Sequence, residues 1–456
     1  MRDNQYPVLG PNWTIKSSGE KFLLFNFRQG ISEDRYSISA RVFDILTQCD
    51  GSKSIASLNQ QFGVDTAQYL EYLNSQDQMT VRFLEKPIDA RTYVPRRPNG
   101  NFLGRVLWHI TGQCNCDCRH CYMATRDWVD LPTDDLYGIV EQLKAMNVYA
   151  VSLTGGEPFC RPDLFEIVQR LDRAEIKVEG IFTNGTLLTK EILQRLEAIQ
   201  EIPLFVSING PRDVPHDSFM GIDGGYALTI RNLQQAVAMV APGDGISHFY
   251  HLVKKLGIRR WRVSVPFMEG NWLDNHETLS LSLVQELDAY RQILEMWLAD
   301  GRPMELELGH VFRYVNGQRV CNNYQTGDYV CDYFRERMVI MPNGEVTSCS
   351  LLVNPPYILG NLTRQALEEI WESPAMRQCK DLRVRDVMKP KCQECQFLGR
   401  CGLGCRANAV LDGLSYSDID EYTCHLYTEG KHDMIDKFLN QAGLGWREVA
   451  NNDQPD

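Results

Sequence analysis

Three cysteines near residue 120 constrain this chain more than any other feature of its sequence. Cys114, Cys118 and Cys121 form a C-x3-C-x2-C pattern within the stretch TGQCNCDCRHCYM. Three thiolates this close together can ligate three irons of a [4Fe–4S] cluster and leave the fourth iron open to a substrate. The alternative is a zinc or electron-transfer site that uses Cys116 as a fourth ligand. We favour three ligands and a spare cysteine, because the spacing suits a cubane cluster.

Most of the other cysteines lie near the C-terminus. Residues 321–424 hold nine of the 15 cysteines, whereas residues 1–113 hold only Cys49. The N-terminal sequence lacks the basic and apolar segments of a secretory signal, which predicts a cytoplasmic protein with reduced thiols. Clustered thiols in such a protein are more often metal ligands than disulfides.

The charge balance restricts the partners. The net charge of −12 argues against a surface for nucleic acid or anionic lipid. No apolar run approaches the roughly 18 residues of a membrane span. We therefore expect neither a nucleic acid nor a membrane as a partner.

Residues 100–305 alternate between predicted strands and helices. This alternation predicts an α/β fold with a parallel sheet, open or closed into a barrel, whose chemistry lies at the carboxyl ends of the strands.

The alternation of strands and helices lacks one expected strand, the fifth. A helix is predicted over Tyr226–Met239, and only seven residues separate it from the next predicted helix, Ser247–Leu256. We expect that the fifth strand has been lost or that a segment is absent from the chain.

The regions on either side differ in character. Residues 1–90 contain predicted strands at Phe22–Phe27, Tyr36–Ser39 and Met79–Leu84, with three short helices between the last two. This order suggests a small winged-helix domain. Residues 310–440 combine the clustered cysteines with short elements. A proline-rich linker near residue 95 separates the first region from the second.

The cysteine loop and its surroundings resemble the radical S-adenosylmethionine (radical SAM) superfamily. The loop precedes an aromatic residue and follows the first strand of a parallel fold, and Gly155-Gly156-Glu157-Pro158 after the second strand resembles the family's GGEP motif. The resemblance implies a partial (β/α)6 barrel of TIM type. It also implies glycines that admit a close ligand and a Glu157 carboxylate that pairs with the methionine ammonium.

The same resemblance implies further contacts with S-adenosylmethionine. Asn184 corresponds to a position that meets the methionine carboxylate or ribose, as do Ser207 and Asn209, and Tyr122 lies near the adenine. The implied reaction is reductive cleavage to a 5′-deoxyadenosyl radical. A low-potential electron donor such as flavodoxin or ferredoxin would supply the electron.

The C-terminal cysteines resemble the SPASM domain of radical enzymes that modify peptides. The resemblance implies two more [4Fe–4S] clusters, three in all. It assigns one cluster to Cys321, Cys331, Cys349 and Cys405, and the other to Cys392, Cys395, Cys401 and Cys424. Two tetrahedral zinc sites are the alternative, because C-x2-C and C-x3-C pairs also suit zinc. Cys49, Cys160 and Cys379 fit neither set and are expected to be ordinary thiols.

The N-terminal region resembles the precursor-peptide recognition element of peptide maturases, in which a leader peptide adds as a strand to a sheet edge. Together these parts predict an oxidoreductase that modifies a ribosomally synthesised precursor peptide (a RiPP). The leader would bind residues 1–90, and the product would carry a thioether or carbon–carbon crosslink. Two alternatives stay open: a radical SAM enzyme that acts on a tetrapyrrole or other small molecule, and a non-enzymatic electron carrier with several clusters.

Overall fold

The computed structural model describes most of the chain, with short gaps. The described residues are 2–10, 13–17, 22–26, 35–76, 80–87, 103–125, 127–146, 148–200, 202–210, 213–233, 237–240, 246–264, 270–309, 311–315, 317–320 and 323–445. None of the helices in these segments combines the length and the apolar character that crossing a bilayer requires.

The N-terminal part has two small antiparallel sheets and three helices. Its strands are β1 (Tyr6–Leu9), β2 (Trp13–Ser17), β3 (Phe22–Asn26), β4 (Arg35–Ser37) and β5 (Val81–Leu84). Its helices are α1 (Ala40–Leu46), α2 (Ile55–Phe62) and α3 (Thr66–Gln76). Strands β2, β3 and β4 form one sheet in that order, and β1 pairs with β5.

Local sequence signals explain where these helices begin. The Ser39 and Ser54 hydroxyls accept hydrogen bonds from the first turns of α1 and α2, which is the usual role of serine at a helix N-terminus. A core around Phe43, Ile55 and Leu70 holds the elements together. Strands β1 and β2 were not predicted, since they are short and β1 contains Pro7. The winged-helix assignment stays a prediction.

Seven parallel strands form the centre of the molecule. They are β6 (Arg105–Thr111), β7 (Ala150–Gly155), β8 (Lys177–Thr183), β9 (Leu204–Ile208), β10 (Val237–Val240), β11 (Arg260–Val263) and β12 (Glu305–Leu308). The helices after them are α4 (Thr133–Ala145), α5 (Leu164–Arg173), α6 (Lys190–Glu197), α7 (Asp213–Met220), α8 (Gly225–Leu233), α9 (Ile246–Lys255), α10 (Trp272–Leu279) and α11 (Leu283–Ala299). This arrangement confirms the predicted α/β fold with a parallel sheet.

The two faces of this sheet differ in chemistry. Alternate residues such as Trp108, Val151 and Trp261 are fully buried in a core that the helices share. Side chains alternate between faces along a strand, so the residues between them point the other way. That second face, which we call the concave face, carries polar groups that include Ser152 and Glu179.

The fifth strand, β10, is present, so the expectation that it was lost or absent is wrong. The segment VAMV lies partly within the range predicted as helix, but α8 ends at Leu233 and Val237–Val240 pairs in parallel with β9 and β11. A short apolar run fits a buried strand and a helix equally well by periodicity. Pairing on both sides, which local sequence does not encode, decides between them.

The C-terminal part extends both edges of the central sheet. Its strands are β13 (Phe312–Val315), β14 (Gln318–Arg319), β15 (Arg337–Ile340), β16 (Glu345–Thr347) and β17 (Ile358–Asn361). Strands β13 and β14 continue the sheet beyond β12, whereas β15 lies parallel to β6 and is followed by β16 and β17. The predicted domain boundaries stay predictions, and β12 and β13, on either side of one of them, belong to the same sheet.

Short helices make up the rest of this part. They are α12 (Asp332–Glu336), α13 (Leu367–Trp371), α14 (Pro374–Lys380), α15 (Val384–Val387), α16 (Pro390–Gln393), α17 (Leu398–Cys401), α18 (Arg406–Leu411), α19 (Glu421–Thr428) and α20 (Asp433–Gln441). Helix α20 packs on α11, and Ile435 and Leu439 are buried in the main core.

The Trp297 side chain tests how much this core contributes to stability. Its ring is fully buried beside Phe312 and Tyr314, and its Nε1 donates to the Met304 carbonyl at 2.9 Å. We expect Trp297→Ala to lower the free energy of unfolding by about 3–5 kcal/mol, as measured by urea denaturation. Val284→Ala on the same helix, where the side chain is 53% exposed, should change it by less than about 0.5 kcal/mol. Equal losses in both variants would contradict this assignment of the core.

Candidate active site around the cysteine loop

The cysteine loop leaves the sheet at the carboxyl end of β6. It carries an exposed Cys114 and partly buried Cys116, Cys118 and Cys121, and a 3-10 turn (Tyr122–Thr125) follows it. The Cys116 amide donates to the Cys114 sulfur at 3.4 Å. The thiol of Cys116 also interacts with those of Cys114 and Cys118. The structure thus brings the three predicted ligands together, with the spare cysteine among them.

Two thiols of the loop, those of Cys114 and Cys121, lose their protons less readily than a free cysteine. The neighbouring Cys116 thiol and then burial raise the pKa of Cys114, and burial raises that of Cys121. Bound iron would favour their ionisation, since metal binding releases the thiol protons. No group of three or more Cys, His, Asp or Glu side chains within the described segments is arranged to hold a metal ion. A zinc site draws its ligands to about 2.3 Å from one ion, whereas a cubane spreads them over several irons, and both the cluster and the zinc alternative stay predictions.

The glycines of the GGEP motif lie directly against the cysteine loop. The amide of Gly156 donates to the Thr111 carbonyl at 2.9 Å, and the amide of Glu157 to the Gln113 carbonyl at 2.7 Å. A Cβ atom on Gly155 or Gly156 would lie 2.2 Å from one of those two carbonyl oxygens. These glycines are therefore needed for contact between two backbones, a reason the sequence analysis did not give.

Glu157 is an internal acceptor for the ends of the neighbouring strands. Its carboxylate is fully buried and accepts from the Thr183 hydroxyl at 2.9 Å, the Asn184 amide at 2.7 Å and the Phe159 amide at 3.1 Å. Burial raises the pKa of Glu157 to about 7, even though these hydrogen bonds favour the anion. The predicted contact with the methionine ammonium stays a prediction.

Asn184 links the third strand to the same loop. Its Nδ2 donates to Asn115 Oδ1 at 2.8 Å and to the Cys116 sulfur at 3.3 Å. Its Oδ1 accepts from the Thr186 amide at 2.9 Å. Asn184 is thus in place beside the loop, and its predicted contact with the cofactor stays a prediction.

Helix α7 supports the middle of the loop. The amides of Asp117 and Arg119 donate to the carbonyls of Met220 and Phe219, each at 3.0 Å. The Met220 sulfur lies 3.5 Å from the Cys118 sulfur and 2.7 Å from Asn209 Nδ2. The Met220 side chain therefore contacts both Asn209, a predicted cofactor residue, and Cys118, a predicted cluster ligand.

Two asparagines and an aspartate that the sequence analysis missed complete the support. Asn271 donates through its amide to the Cys121 carbonyl at 3.0 Å and through Nδ2 to the Cys118 carbonyl at 2.9 Å. Asn275 Nδ2 donates to the Arg119 carbonyl at 3.3 Å. Asp130 accepts from the Gly112 amide at 2.6 Å and from the Thr111 hydroxyl. The sequence offers one sign of this support, which is that Asn271 and Asn275 are four residues apart after β11.

Tyr122 lies between the cysteine loop and the C-terminal cysteines. Its hydroxyl is 3.2 Å from His109 Nε2. Burial raises the pKa of Tyr122, and the thiols of Cys121 and Cys349 add to that effect, so both lie near the ring. Burial also lowers the pKa of His109 to about 3, so this imidazole is neutral. The predicted proximity of Tyr122 to adenine stays a prediction.

The C-terminal cysteines form two groups that agree with the two predicted ligand sets. Burial raises the pKa of Cys349, with smaller effects from the thiols of Cys405 and Cys331. Burial likewise raises that of Cys401 to about 11, with smaller effects from Cys424, Cys395 and Cys392. Cys321 lies outside the described residues. The ligand assignments themselves stay predictions.

Buried polar groups position these thiols. Asp420 is buried and accepts from the Cys405 amide at 2.9 Å and the Thr423 hydroxyl at 2.8 Å. The buried Arg406 guanidinium donates to the carbonyls of Leu403 and Asp418. One buried side chain therefore satisfies two backbone carbonyls, and one of them, that of Leu403, lies between Cys401 and Cys405 in the chain.

Two family models match the chain. The radical SAM superfamily matches residues 108–260, which contain the cysteine loop, the GGEP motif and strands β7 to β10. The SPASM iron–sulfur cluster-binding domain matches residues 331–396. The matched segments contain the predicted ligands Cys114, Cys118, Cys121, Cys331, Cys349, Cys392 and Cys395.

Similar proteins of known activity span much of the chain. An AdoMet-dependent heme synthase from Methanosarcina barkeri is 28% identical over 354 residues, 72% of this chain and 97% of that protein. The mycofactocin maturase MftC from Mycobacterium tuberculosis is 26% identical over 333 residues, 68% of this chain and 80% of that protein. The structure of Streptococcus suis SuiB bound to its precursor peptide SuiA superposes with a TM-score of 0.66 at 16% identity, over 92% of this chain and all of that one.

Gly156 tests the contact between the two loops. In Gly156→Ala the new Cβ meets the Gln113 carbonyl at 2.2 Å, so the cysteine loop must move. We expect reconstituted protein to lose one cluster, about four irons per chain, and to form no deoxyadenosine from S-adenosylmethionine. Iron and sulfide analysis and product chromatography measure both. Gly138→Ala in helix α4, where a Cβ meets nothing within 4 Å, is the matched control and should keep its iron. A fully loaded Gly156→Ala variant would contradict this account.

Proposed function

We propose that this radical SAM enzyme, which carries a C-terminal SPASM domain, is a maturase of a ribosomally synthesised precursor peptide. The observation that carries the proposal is the extent of its similarities. The heme synthase is matched over nearly its whole length, yet that match leaves more than a quarter of this chain without a counterpart. The fold of SuiB, a protein solved with a precursor peptide, covers 92% of this chain.

We assign three [4Fe–4S] clusters to the chain. Cys114, Cys118 and Cys121 would hold the first, whose open iron binds S-adenosylmethionine and supplies the electron for its cleavage. The auxiliary clusters would be held by Cys321, Cys331, Cys349 and Cys405, and by Cys392, Cys395, Cys401 and Cys424. The thiols of Cys121 and Cys349 both influence Tyr122, which supports placing an auxiliary cluster on the same side of the molecule as the cysteine loop. This auxiliary cluster would accept the electron left after hydrogen abstraction. A flavodoxin or ferredoxin would reduce the first cluster.

The leader peptide would add to the sheet β2-β3-β4 as a further strand. Strands β2 and β4 are the outer strands of this sheet. Trp13 and Ile15 of β2 are buried, whereas Ser37 of β4 is exposed, which favours β4 as the docking edge. Unpaired amides and carbonyls on an exposed edge bind an extended peptide of almost any sequence, and pockets along it add specificity.

A second candidate function is the modification of a tetrapyrrole. It is favoured by the heme synthase, with 28% identity over 97% of that protein. In this case the N-terminal sheet would have no role in substrate binding. Failure of a full-length enzyme to bind any leader peptide, together with turnover of a tetrapyrrole, would support it over the peptide.

The proposed reaction is tested with the product of a small open reading frame beside the gene. Reduced enzyme and S-adenosylmethionine should convert this peptide to one that lacks two hydrogens, because a thioether or carbon–carbon crosslink replaces two X–H bonds with one new bond. Mass spectrometry measures the loss and locates the residues. Cys118→Ala, which lacks a ligand of the first cluster, is the control and should leave the peptide unchanged. Abundant deoxyadenosine with an unmodified peptide would refute the peptide assignment and leave the radical chemistry standing.

Ser37 tests the docking edge. The Ile38 amide donates to the Phe22 carbonyl of β3, so by alternation the Ser37 amide points away from β3, toward the added strand. Ser37→Pro removes that donor without breaking the existing ladder. We expect at least about a tenfold weaker binding of a fluorescent leader peptide to the full-length enzyme, from one lost hydrogen bond and a blocked edge. Ser37→Ala keeps the amide and should bind as the unaltered protein does. Equal binding by both variants would exclude β4 as the edge.

A further inference from the structure

A row of five residues crosses the concave face of the sheet at one register. Ser207 on β9 is paired with Met239 on β10, Met239 with Arg262 on β11, Arg262 with Glu307 on β12, and Glu307 with Arg313 on β13. Residues paired in this way lie on the same face of a sheet. The row therefore connects Ser207, a predicted cofactor position, to three charged residues.

The neighbours of these charged residues show which face the row occupies. Trp261 contacts Tyr250 of helix α9, and Phe312 contacts Trp297 of helix α11. Leu306 is fully buried in the same core. Since these alternate residues face the helices, Arg262, Glu307 and Arg313 point to the opposite side, the concave face.

The charges in the row do not balance. One carboxylate, that of Glu307, is shared by two guanidiniums: its oxygens lie 3.6 Å from Arg262 Nε and 3.3 Å from Arg313 Nε. Glu307 is 14% exposed, whereas the side chains of Arg262 and Arg313 are 51% and 54% exposed. One positive charge is left over within this group, in a chain whose net charge is −12.

A neighbouring pair on the same two strands shows the ordinary arrangement. Arg260 and Glu305 form an ion pair at 2.5 Å, with side chains 27% and 20% exposed. The positive and negative charges of these two residues offset each other. The Arg262–Glu307–Arg313 group differs in both charge and exposure, because its carboxylate is the least exposed member and its two guanidiniums face solvent.

We propose that Arg262 and Arg313 bind a carboxylate of the substrate. The inference rests on the proposed function, and for a peptide substrate the ligand is an acidic side chain in the segment that is modified. Guanidinium groups bind carboxylates through paired charge-assisted hydrogen bonds, and Glu307 keeps the two side chains oriented for this. Adjacent strands are about 4.8 Å apart, so Arg262 lies roughly 10 Å from Ser207, about three residues of extended peptide. The acidic residue should therefore lie about three residues from the modified one.

The experiment uses full-length reconstituted enzyme and two probes. The first is the candidate precursor peptide, with each Asp or Glu changed in turn to Asn or Gln. The second is a metal-free porphyrin with four propionate groups. The enzyme variants are Arg262→Gln and Arg313→Gln, and Arg260→Gln is the matched control on the same strand and face. Uncoupled deoxyadenosine formation without substrate is measured for all variants, so that a change in S-adenosylmethionine cleavage is separated from a change in substrate binding.

With the peptide, we expect the KM for modification to rise about tenfold to hundredfold in Arg262→Gln and Arg313→Gln and less than about threefold in Arg260→Gln. Neutralising one acidic residue of the peptide should raise the KM equally, and combining it with Arg262→Gln should add little further. The proposal is overturned if the KM rises no more in the two arginine variants than in Arg260→Gln. It is also overturned if the rise does not depend on any acidic residue of the peptide.

The second probe separates this proposal from the proposed function. If the peptide is not modified but the porphyrin binds, and binds at least about tenfold more weakly to the two variants, carboxylate binding stands and the peptide assignment fails. If neither probe distinguishes Arg262→Gln and Arg313→Gln from the control, the arginine pair does not bind the substrate.

Discussion

The active site depends on the close approach of two backbones. The loop after β7 donates two amides to the loop after β6, across a gap that admits no Cβ atom on Gly155 or Gly156. Every other support of the cysteines is arranged around this contact: Glu157 secures the strand ends behind it, α7 and Asn271 hold the far side, and Asp130 holds the start. Glycine is required here because it gives no side chain to separate the loops. The motif thereby fixes the position of the cysteine loop.

The candidate ligands could be named from the sequence because their spacing is local. Cysteines spaced for a cluster, and glycines followed by a glutamate after a strand, are visible without a structure. The residues that hold them were not visible. Asn271 and Asn275 are about 150 residues from Cys118 and Arg119, to whose carbonyls they donate, and only the fold brings them there. Strand β10 was missed for the same reason, since its four apolar residues become a strand through pairing with β9 and β11.

The structure adds a second role for the carboxylate of the GGEP motif. Glu157 accepts hydrogen bonds from Thr183 and Asn184 at the end of the third strand, and burial raises its pKa to about 7. Its contact with the methionine ammonium stays a prediction. Sequence identifies a carboxylate at a strand end, but the number of donors around it depends on how the loops pack. By contrast, the seven described C-terminal cysteines fall into two groups as the SPASM resemblance implies, and their assignment as ligands stays a prediction.

The placement of the C-terminal part also affects how readily the protein aggregates. Parallel strands such as β6 and β12 would, at the borders of an open sheet, offer rows of unsatisfied amides and carbonyls to other molecules. Here β13 and β14 cover one border and β15, β16 and β17 cover the other, so the outermost strands are only two and four residues long. The cysteine-rich region therefore also shields the catalytic sheet from aggregation. A nascent chain that ends just after β12 has neither border covered, so the central sheet is open to aggregation at that stage of synthesis.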